Sequence, residues 1–481
     1  MILLSRLTEG EHMILIELEK SQKRSKANQI YRQIKGKILN GELKSGERLP
    51  STRMLAKDIQ VSRNTVLTAF DMLVSEGLVD SIPGSGLYVS QVAGQLPIST
   101  PQLVDNFTSS LSAERIPAGA INFDSGIPAL SLFPRGKWNR EVSHAFLDAP
   151  ISALGYDDPQ GRPELRRALS IWLERARGVR CSPDQIIITS GAKQGLTLVA
   201  KCLLQPDSQV LLEDPSNANV RQIFSYHTEH LIPIPVDEEG IITDALPPDA
   251  EPMLLFLTPS HQFPMGGVLS LERRLTLIQY ARQKGSFLVE DDYDSEFRYD
   301  GAPIRSLFEL DSTRVIYVGT FSKVMFPSLR LGYLVLPAEL VGQFLEWKRL
   351  GDHHSNSIYQ LALARFIESG ELEKHILRMK KVYAKRRGIL LELLQQLFPG
   401  QVSCYGDAAG LHVVAAFRGV IFTPDLIRQI WAEGVYIVPV GKHALCSDHK
   451  NQIILGYAQL EREEMERGLM KLQDCLENRG D

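Results

Sequence analysis

Between Gln91 and about Gly119 the composition shifts to Ser, Thr, Pro, Ala and Gln. Such a stretch reads as a partly extended linker, and it leaves each flanking piece to build a core of its own. The expected layout has four parts: an N-terminal extension (residues 1–24), a small helical unit with a hairpin (25–92), the linker (93–118) and a large α/β unit (119–481). From about residue 365 the large unit is expected to form a smaller α+β subdomain.

In the first unit Ile30, Ile34 and Ile38 recur at helical spacing, which predicts an amphipathic helix over 28–39. Gly41 and Gly46 bracket a turn, and Pro50 and Ser51 open a second helix with Ser51 as its N-cap. Ser62 caps a third helix, along which Val66, Ala69, Phe70 and Leu73 line one face until Gly77 ends it. Leu78 to Ile82, Gly84-Ser-Gly and Leu87 to Val89 read as a hairpin. Three helices and a hairpin in this order make a winged helix-turn-helix. Its charge agrees: from Lys20 to Val89 there are twelve Lys and Arg against six Asp and Glu, while the whole chain carries −4. A basic block on an acidic remainder points to double-stranded DNA as a partner. Ser62, Arg63, Asn64 and Thr65 lead the third helix, and Arg and Asn are shaped for bidentate contact with base edges. Arg48, Ser51 and Arg53 suit phosphates, and Gly84 and Gly86 let a wing tip approach the DNA backbone.

The second unit alternates strands and helices. Ile186 to Thr189, Val210 to Leu212, Leu254 to Leu257, Phe287 to Val289 and Val315 to Val318 are short apolar strands, with a helix at Gln194 to Leu204. This βα alternation predicts a mostly parallel sheet covered by helices. A long helix, about Leu372 to Leu397, introduces the smaller subdomain. No apolar run approaches the roughly 20 residues of a membrane helix. The five cysteines, Cys181, Cys202, Cys404, Cys446 and Cys475, are odd in number and widely spaced. They indicate neither a disulfide framework nor a metal site, and they suit a reducing cytoplasm.

The chemistry gathers around one lysine. Thr320-Phe-Ser-Lys-Val-Met-Phe-Pro-Ser-Leu-Arg follows the strand at 315–318. A lysine just beyond a strand's carboxyl end stands where open α/β sheets place their ligands. Most lysines are solvated surface charges, but Thr320, Ser322 and Arg330 flank Lys323, and hydroxyls with a guanidinium are what a phosphate dianion needs. Lys323 is therefore a candidate to form a Schiff base with a phosphorylated aldehyde. Phe287-Leu-Val-Glu-Asp-Asp-Tyr adds a carboxylate for a ring nitrogen, Asp291 or alternatively Asp292, and Tyr293 for a phenolic oxygen. Thr189-Ser-Gly-Ala-Lys-Gln opens a helix, so the backbone N–H groups of Ala192 and Lys193 are a further phosphate site.

Gly46-Glu-Arg-Leu-Pro-Ser-Thr-Arg, Val61-Ser-Arg-Asn-Thr-Val and Glu76-Gly-Leu-Val resemble the GntR family of bacterial regulators. Tyr156-Asp-Asp-Pro-Gln-Gly-Arg-Pro-Glu-Leu-Arg, Thr258-Pro-Ser-His-Gln-Phe-Pro-Met-Gly and Glu290-Asp-Asp-Tyr-Asp-Ser-Glu-Phe resemble the fold-type I, class I aminotransferases. Joined, they resemble the MocR subfamily of regulators from residue 13 to about residue 475. The resemblance implies pyridoxal 5′-phosphate as cofactor, a DNA operator, a head-to-tail homodimer, and an effector that is an amino acid, an amine or the cofactor itself. The chain departs from the aminotransferase pattern in three places. Ile454 stands where an Arg usually clamps the substrate carboxylate, Asn217 where an aromatic stacks on the ring, and His261-Gln-Phe-Pro-Met where an Asn precedes a Pro-Thr-Gly turn. The expectation is a ligand-responsive transcription factor, ahead of a transaminase with an accessory domain or a scaffold built on a relic fold.

Overall fold

The computed structural model describes residues 14–18, 25–92, 116–117, 119–299 and 304–477. Most of the expected extension and nearly all of the expected linker lie outside them. The chain forms two compact units that divide after residue 113.

The N-terminal unit contains α1 (Lys26–Leu39), α2 (Thr52–Asp58), α3 (Arg63–Ser75), β1 (Val79–Ile82) and β2 (Gly86–Val89). Ile30, Ile34 and Ile38 of α1 are buried against Val66, Ala69, Phe70 and Leu73 of α3, and Leu55, Leu78 and Val89 close this core. Each helix starts on a serine whose hydroxyl accepts a backbone N–H: Ser25 from Asn28, Ser51 from Met54 and Ser62 from Thr65. β1 and β2 pair antiparallel, and Gly84 and Gly86 take φ of 75° and 126° at the tip. Only glycine enters such conformations without strain.

The C-terminal unit begins with β3 (Ile121–Asn122), α4 (Arg135–Asp148) and α5 (Pro163–Arg177), then β4 (Ile186–Thr189), α6 (Ala192–Leu203), β5 (Gln209–Asp214) and α7 (Ala218–Ser225). It continues through β6 (Leu231–Asp237), β7 (Gly240–Ile241), β8 (Pro252–Leu257), α8 (Leu271–Lys284), β9 (Phe287–Asp292), α9 (Leu307–Leu310), β10 (Val315–Thr320) and β11 (Gly332–Val335). After α10 (Val341–Asp352), α11 (Ser357–Glu368) and α12 (Glu371–Leu397) come β12 (Val402–Tyr405), β13 (His412–Phe417), α13 (Pro424–Ala432), β14 (Val435–Tyr436), β15 (Val438–Pro439), β16 (Gln452–Gly456) and α14 (Arg462–Glu477).

The large sheet has eight strands in the order β4-β11-β10-β9-β8-β5-β6-β7. β6, β5, β8, β9 and β10 run parallel, and β11 lies antiparallel between β10 and β4. Every residue of β4 and β9 is buried, as strands covered on both faces require. The parallel arrangement brings the carboxyl ends of β4, β5, β8, β9 and β10 to one edge. The smaller subdomain carries a four-stranded antiparallel sheet, β12-β13-β16-β15. β3 pairs parallel with β14, so the first strand after the linker belongs physically to this subdomain. Sequence periodicity does not reveal β3, β6, β11 or the small-sheet strands, because runs of two to seven residues inside apolar segments carry no clear alternation. Among the described residues no helix is long and apolar enough to cross a membrane, and all five cysteines are free.

One buried ion pair secures the catalytic-type edge of the sheet. Arg177, at the end of α5, reaches Asp292 at the end of β9 with Nε at 2.8 Å and Nη2 at 2.6 Å, and its Nη2 also donates to Ser260 Oγ at 3.0 Å. The hydroxyl of Tyr317 donates to the same carboxylate. Removing one partner leaves an uncompensated buried charge, at a cost of about 3–5 kcal/mol. Arg177→Met should therefore lower the urea midpoint of the C-terminal unit strongly. Arg177→Met combined with Asp292→Asn should recover part of the loss, and an additive double variant would contradict this account.

Candidate cofactor site and nucleic-acid interface

A cavity of about 600 Å³ opens at the carboxyl edge of the large sheet. It gathers most of the segments singled out in the sequence: Ala192, Lys193, Asp291, Tyr293, Thr320, Ser322, Lys323 and Arg330 all line it. β10 delivers Thr320, and the turn after it places Lys323, whose Nζ donates to the Gly126 carbonyl at 2.6 Å. Burial lowers the Lys323 pKa, and Asp124, Asp294 and Asp291 partly offset it. A buried lysine with a depressed pKa at the floor of such a cavity is poised as a nucleophile.

β9 alternates its acidic residues across the sheet. Glu290 accepts N–H bonds from Leu307 and Phe308 at the start of α9, at 3.1 and 3.2 Å, and Asp292 is committed to Arg177. Asp291 lines the cavity between them, buried, and its Oδ1 has no hydrogen-bond partner. Burial, reinforced by Asp292, pushes the Asp291 pKa up to about 7. An orphaned buried carboxylate aimed into a cavity calls for a cationic or donor group. Of the two aspartates left open by the sequence, Asp291 is the one at the cavity.

The phosphate side is built from backbone and side chains together. Gly191 precedes α6 at φ 104°, and a Cβ there would lie 3.3–3.5 Å from the Arg330 guanidinium, so the missing side chain lets Arg330 lie over the start of the helix. The Ala192 and Lys193 N–H groups belong to the first turn of α6, where no intrahelical partner is available. Thr320 Oγ1 accepts from the Ser322 N–H at 3.2 Å and lies 3.1 Å from Ser322 Oγ. Nucleophile, carboxylate and phosphate donors thus fit a phosphorylated aromatic aldehyde.

Tyr293 donates to the His261 carbonyl at 3.0 Å, and its oxygen lies 3.0 Å from His261 Nδ1. His261 Nδ1 lies 3.0 Å from Asp294 Oδ2. Burial disfavours the His261 charge, yet Asp294 reverses the balance and raises its pKa. The departure at His261 therefore places a histidine–carboxylate hydrogen bond behind the phenol. Ile454 lines the cavity at 1% exposure, packed with Val414, Val440, Phe263 and Val438. Asn217 also lines it, its side-chain Oδ1 accepting the Asn219 N–H at 3.0 Å. Of the other cations able to replace a missing Arg clamp, Lys442 lines the cavity, Arg221 donates to the carbonyls of Lys442 and His443, and Arg386 is buried on Ala458 and Glu461. Sequence reasoning missed Asp124 and Gly126. Their only local signal is the Asp-Ser-Gly turn, and β3 pairing is what brings them to Lys323.

On the N-terminal unit Arg53, Arg63 and Asn64 are exposed. Arg63 Nε donates to Thr52 Oγ1 at 3.3 Å, which ties the start of α3 to the start of α2. The hydroxyls of Ser51 and Ser62 serve as helix caps, and Ser62 Oγ lies 2.8 Å from Thr65 Oγ1. Arg48 lies along the wing: a Cβ on Gly86 would stand 3.2 Å from its Nε.

The raised Asp291 pKa has a stability consequence. A carboxyl whose folded pKa exceeds its unfolded value of about 4 stabilises the fold below pH 4, and that contribution falls as pH rises to about 7. Asp291→Asn should raise the melting temperature of the cofactor-free chain at pH 8 and change it little at pH 4. Equal shifts at both pH values would show that the carboxylate carries no such penalty.

Comparison with known proteins agrees with this geometry. Residues 26–89 match the family of bacterial regulatory proteins of the gntR type, and residues 120–472 match aminotransferase class I and II. The chain is 33% identical to the probable rhizopine catabolism regulatory protein MocR of Rhizobium meliloti, over 93% of each chain. It is 29% identical to the pyridoxine biosynthesis transcriptional regulator PdxR of Corynebacterium glutamicum, over 96% of this chain and 98% of that one. Among solved structures, the α-aminoadipate aminotransferase LysN of Thermus thermophilus superposes with a TM-score of 0.70 at 30% identity, covering 76% of this chain and 93% of that one. A helix-turn-helix unit joined to an aminotransferase-like unit of the kind that takes pyridoxal 5′-phosphate, similar along nearly its whole length to regulators of that build, belongs to the MocR-type family of GntR transcription regulators.

Proposed function

We propose that this regulator holds pyridoxal 5′-phosphate covalently at Lys323 and uses it to sense a small molecule without turning it over. The orphaned, cavity-facing carboxylate of Asp291 carries the reading, together with an apolar wall where a substrate carboxylate would be clamped. Bound here, the cofactor supplies an aldehyde that amines can join and a ring that withdraws electrons. Asp291 keeps a proton on the ring nitrogen, and Tyr293, backed by His261 and Asp294, faces the phenolic oxygen. Ala192 and Lys193 N–H groups, Thr320, Ser322 and Arg330 take the phosphate. A transaminase must also hold its substrate so that one bond lies perpendicular to the ring, and a misplaced substrate loses about a hundredfold in rate. Ile454 offers no bidentate clamp for that purpose. The relatives named for rhizopine catabolism and pyridoxine biosynthesis suggest that genes of vitamin B6, amino-acid or amine metabolism are the targets. The effector is then an amino acid, an amine or the cofactor itself, acting in the cytoplasm, where the chromosome lies.

The N-terminal unit reads the operator. Arg63 and Asn64 face base edges, Arg48 and Arg53 face phosphates, and the Gly84–Gly86 tip meets the backbone. Ser51, Ser62 and Thr65 order the helix starts that present these groups. Pairing of two copies brings two such units to one operator. It is supported by an apolar surface at the end of α4 and beyond, where Leu147, Ile151 and Tyr156 are 77%, 87% and 88% exposed.

Purified protein should carry a yellow, borohydride-trappable cofactor that Lys323→Ala abolishes, and covalent trapping in that variant would refute the assignment. Mixed with a panel of amino acids and amines, the loaded protein should change its absorbance without sustained keto-acid release. Turnover at about 1 s⁻¹ or faster would make it an enzyme. In operator-binding assays Arg63→Ala should cost about 1–3 kcal/mol and relax base preference. Arg53→Ala should weaken all sequences alike and flatten the salt dependence. Unchanged sequence preference in Arg63→Ala would sink the proposed register of α3.

A further inference from the structure

With the ring and phosphate contacts of the proposed cofactor set aside, the rest of the cavity has an uneven chemistry. Beyond Lys323 and the phosphate contacts, the cationic side chains on its lining are those of Lys193 and Lys442, and both are exposed at the surface, away from its apolar wall. His443 is buried and its pKa is pushed down to about 4 by burial and by Lys442 and Arg221, so it is neutral near pH 7. Phe263, Val438 and Ile454 present apolar surface. Burying an unpaired carboxylate against such a wall is costly.

A cation meets the opposite situation. Asp124 follows β3 and lines the cavity beside Lys323. A Cβ on Gly126 would lie 3.3 Å from Asp124 Oδ1 and 3.3 Å from Lys323 Nζ, so the carboxylate and the lysine flank the same glycine. Asp124 Oδ1 accepts the Gly126 N–H at 2.9 Å, while Oδ2 makes no hydrogen bond among the described residues. Asp124 is also the foremost charge acting on Lys323. An ammonium group bonded to Asp124 would therefore arrive next to Lys323; once Asp124 has taken one of its protons, the neutral amine could form the new carbon–nitrogen bond as the bond to Lys323 breaks and the lysine leaves as a free amine.

We infer that Asp124 is the recognition group for the effector, and that the effector is a primary alkylamine bound as its cation, with its chain against Phe263, Val438 and Ile454 and no carboxylate required. This rests on the cofactor reading given above. It narrows the ligand class from amino acids and amines together to amines.

The full chain loaded with pyridoxal 5′-phosphate allows a direct test. Cofactor absorbance and thermal midpoint are followed while butylamine, putrescine, γ-aminobutyrate and norvaline are titrated in turn. Butylamine and putrescine should bind about tenfold or more tightly than norvaline, because the amines form one charge-assisted hydrogen bond to Asp124 and leave no carboxylate unpaired. Asp124→Asn keeps an oxygen for the Gly126 N–H, so it should still take up borohydride-trappable cofactor, one per chain, while losing about tenfold in amine affinity. Norvaline or γ-aminobutyrate binding as tightly as butylamine would overturn the inference, as would an Asp124→Asn protein with parental amine affinity. A chain that takes up no cofactor at Lys323 would instead refute the cofactor reading, and this inference with it.

Discussion

The pairing of Arg177 with Asp292 is the constraint on which the cavity depends. β9 ends in three consecutive acidic residues, all buried. Like charges packed so closely repel, and each loses hydration. The strand tolerates them because two of the three have dedicated partners on one face: helix N–H groups for Glu290, and, on Oδ2 of Asp292, two guanidinium nitrogens of Arg177 with the Tyr317 hydroxyl. Strand alternation then turns Asp291 to the other face, with nothing on the protein to satisfy its Oδ1. Asp292 Oδ1 is unpartnered too, but its other oxygen is held by Arg177, whereas Asp291 alone of the three lines the cavity, where a ligand can reach it.

Glycines extend the same logic on the phosphate side. Gly191 and Gly332 approach so closely that a Cβ on Gly332 would stand 2.8 Å from the Gly191 Cα. The start of α6 can settle on β11 only because Gly332 lacks a side chain, while the bare Gly191 leaves room for the Arg330 guanidinium. That contact puts the first turn of the helix under Arg330, itself held at φ 52°. Helix start, guanidinium and hydroxyls thus converge through backbone packing more than through side-chain bonds.

Much of this was legible in the sequence, and the reasons are specific. Ser51 and Ser62 announced helix starts because a cap requires a short side-chain acceptor at one position. Lys323 stood out because hydroxyls and an arginine surround it just past a strand. The choice between Asp291 and Asp292 was not legible, since it depends on which face of β9 receives Arg177 from a helix more than one hundred residues earlier. β11 was missed because its four residues are antiparallel within a mostly parallel sheet and read as part of a long apolar run. Asp124 was missed for a related reason: it belongs to no motif, and a two-residue strand gives no periodicity to follow.

The position of β3 has a mechanical consequence. The chain leaves the linker, adds Ile121 and Asn122 to the small subdomain alongside β14, and then supplies Asp124 and Gly126 to the cavity. The chain that arrives from the N-terminal unit is therefore anchored within a few residues of the groups that face Lys323. A displacement of Gly126 would be felt at that anchor through covalent bonds and one short strand, with no relay across the sheet. The covalent path from one unit to the other thus begins at the wall of the cavity itself.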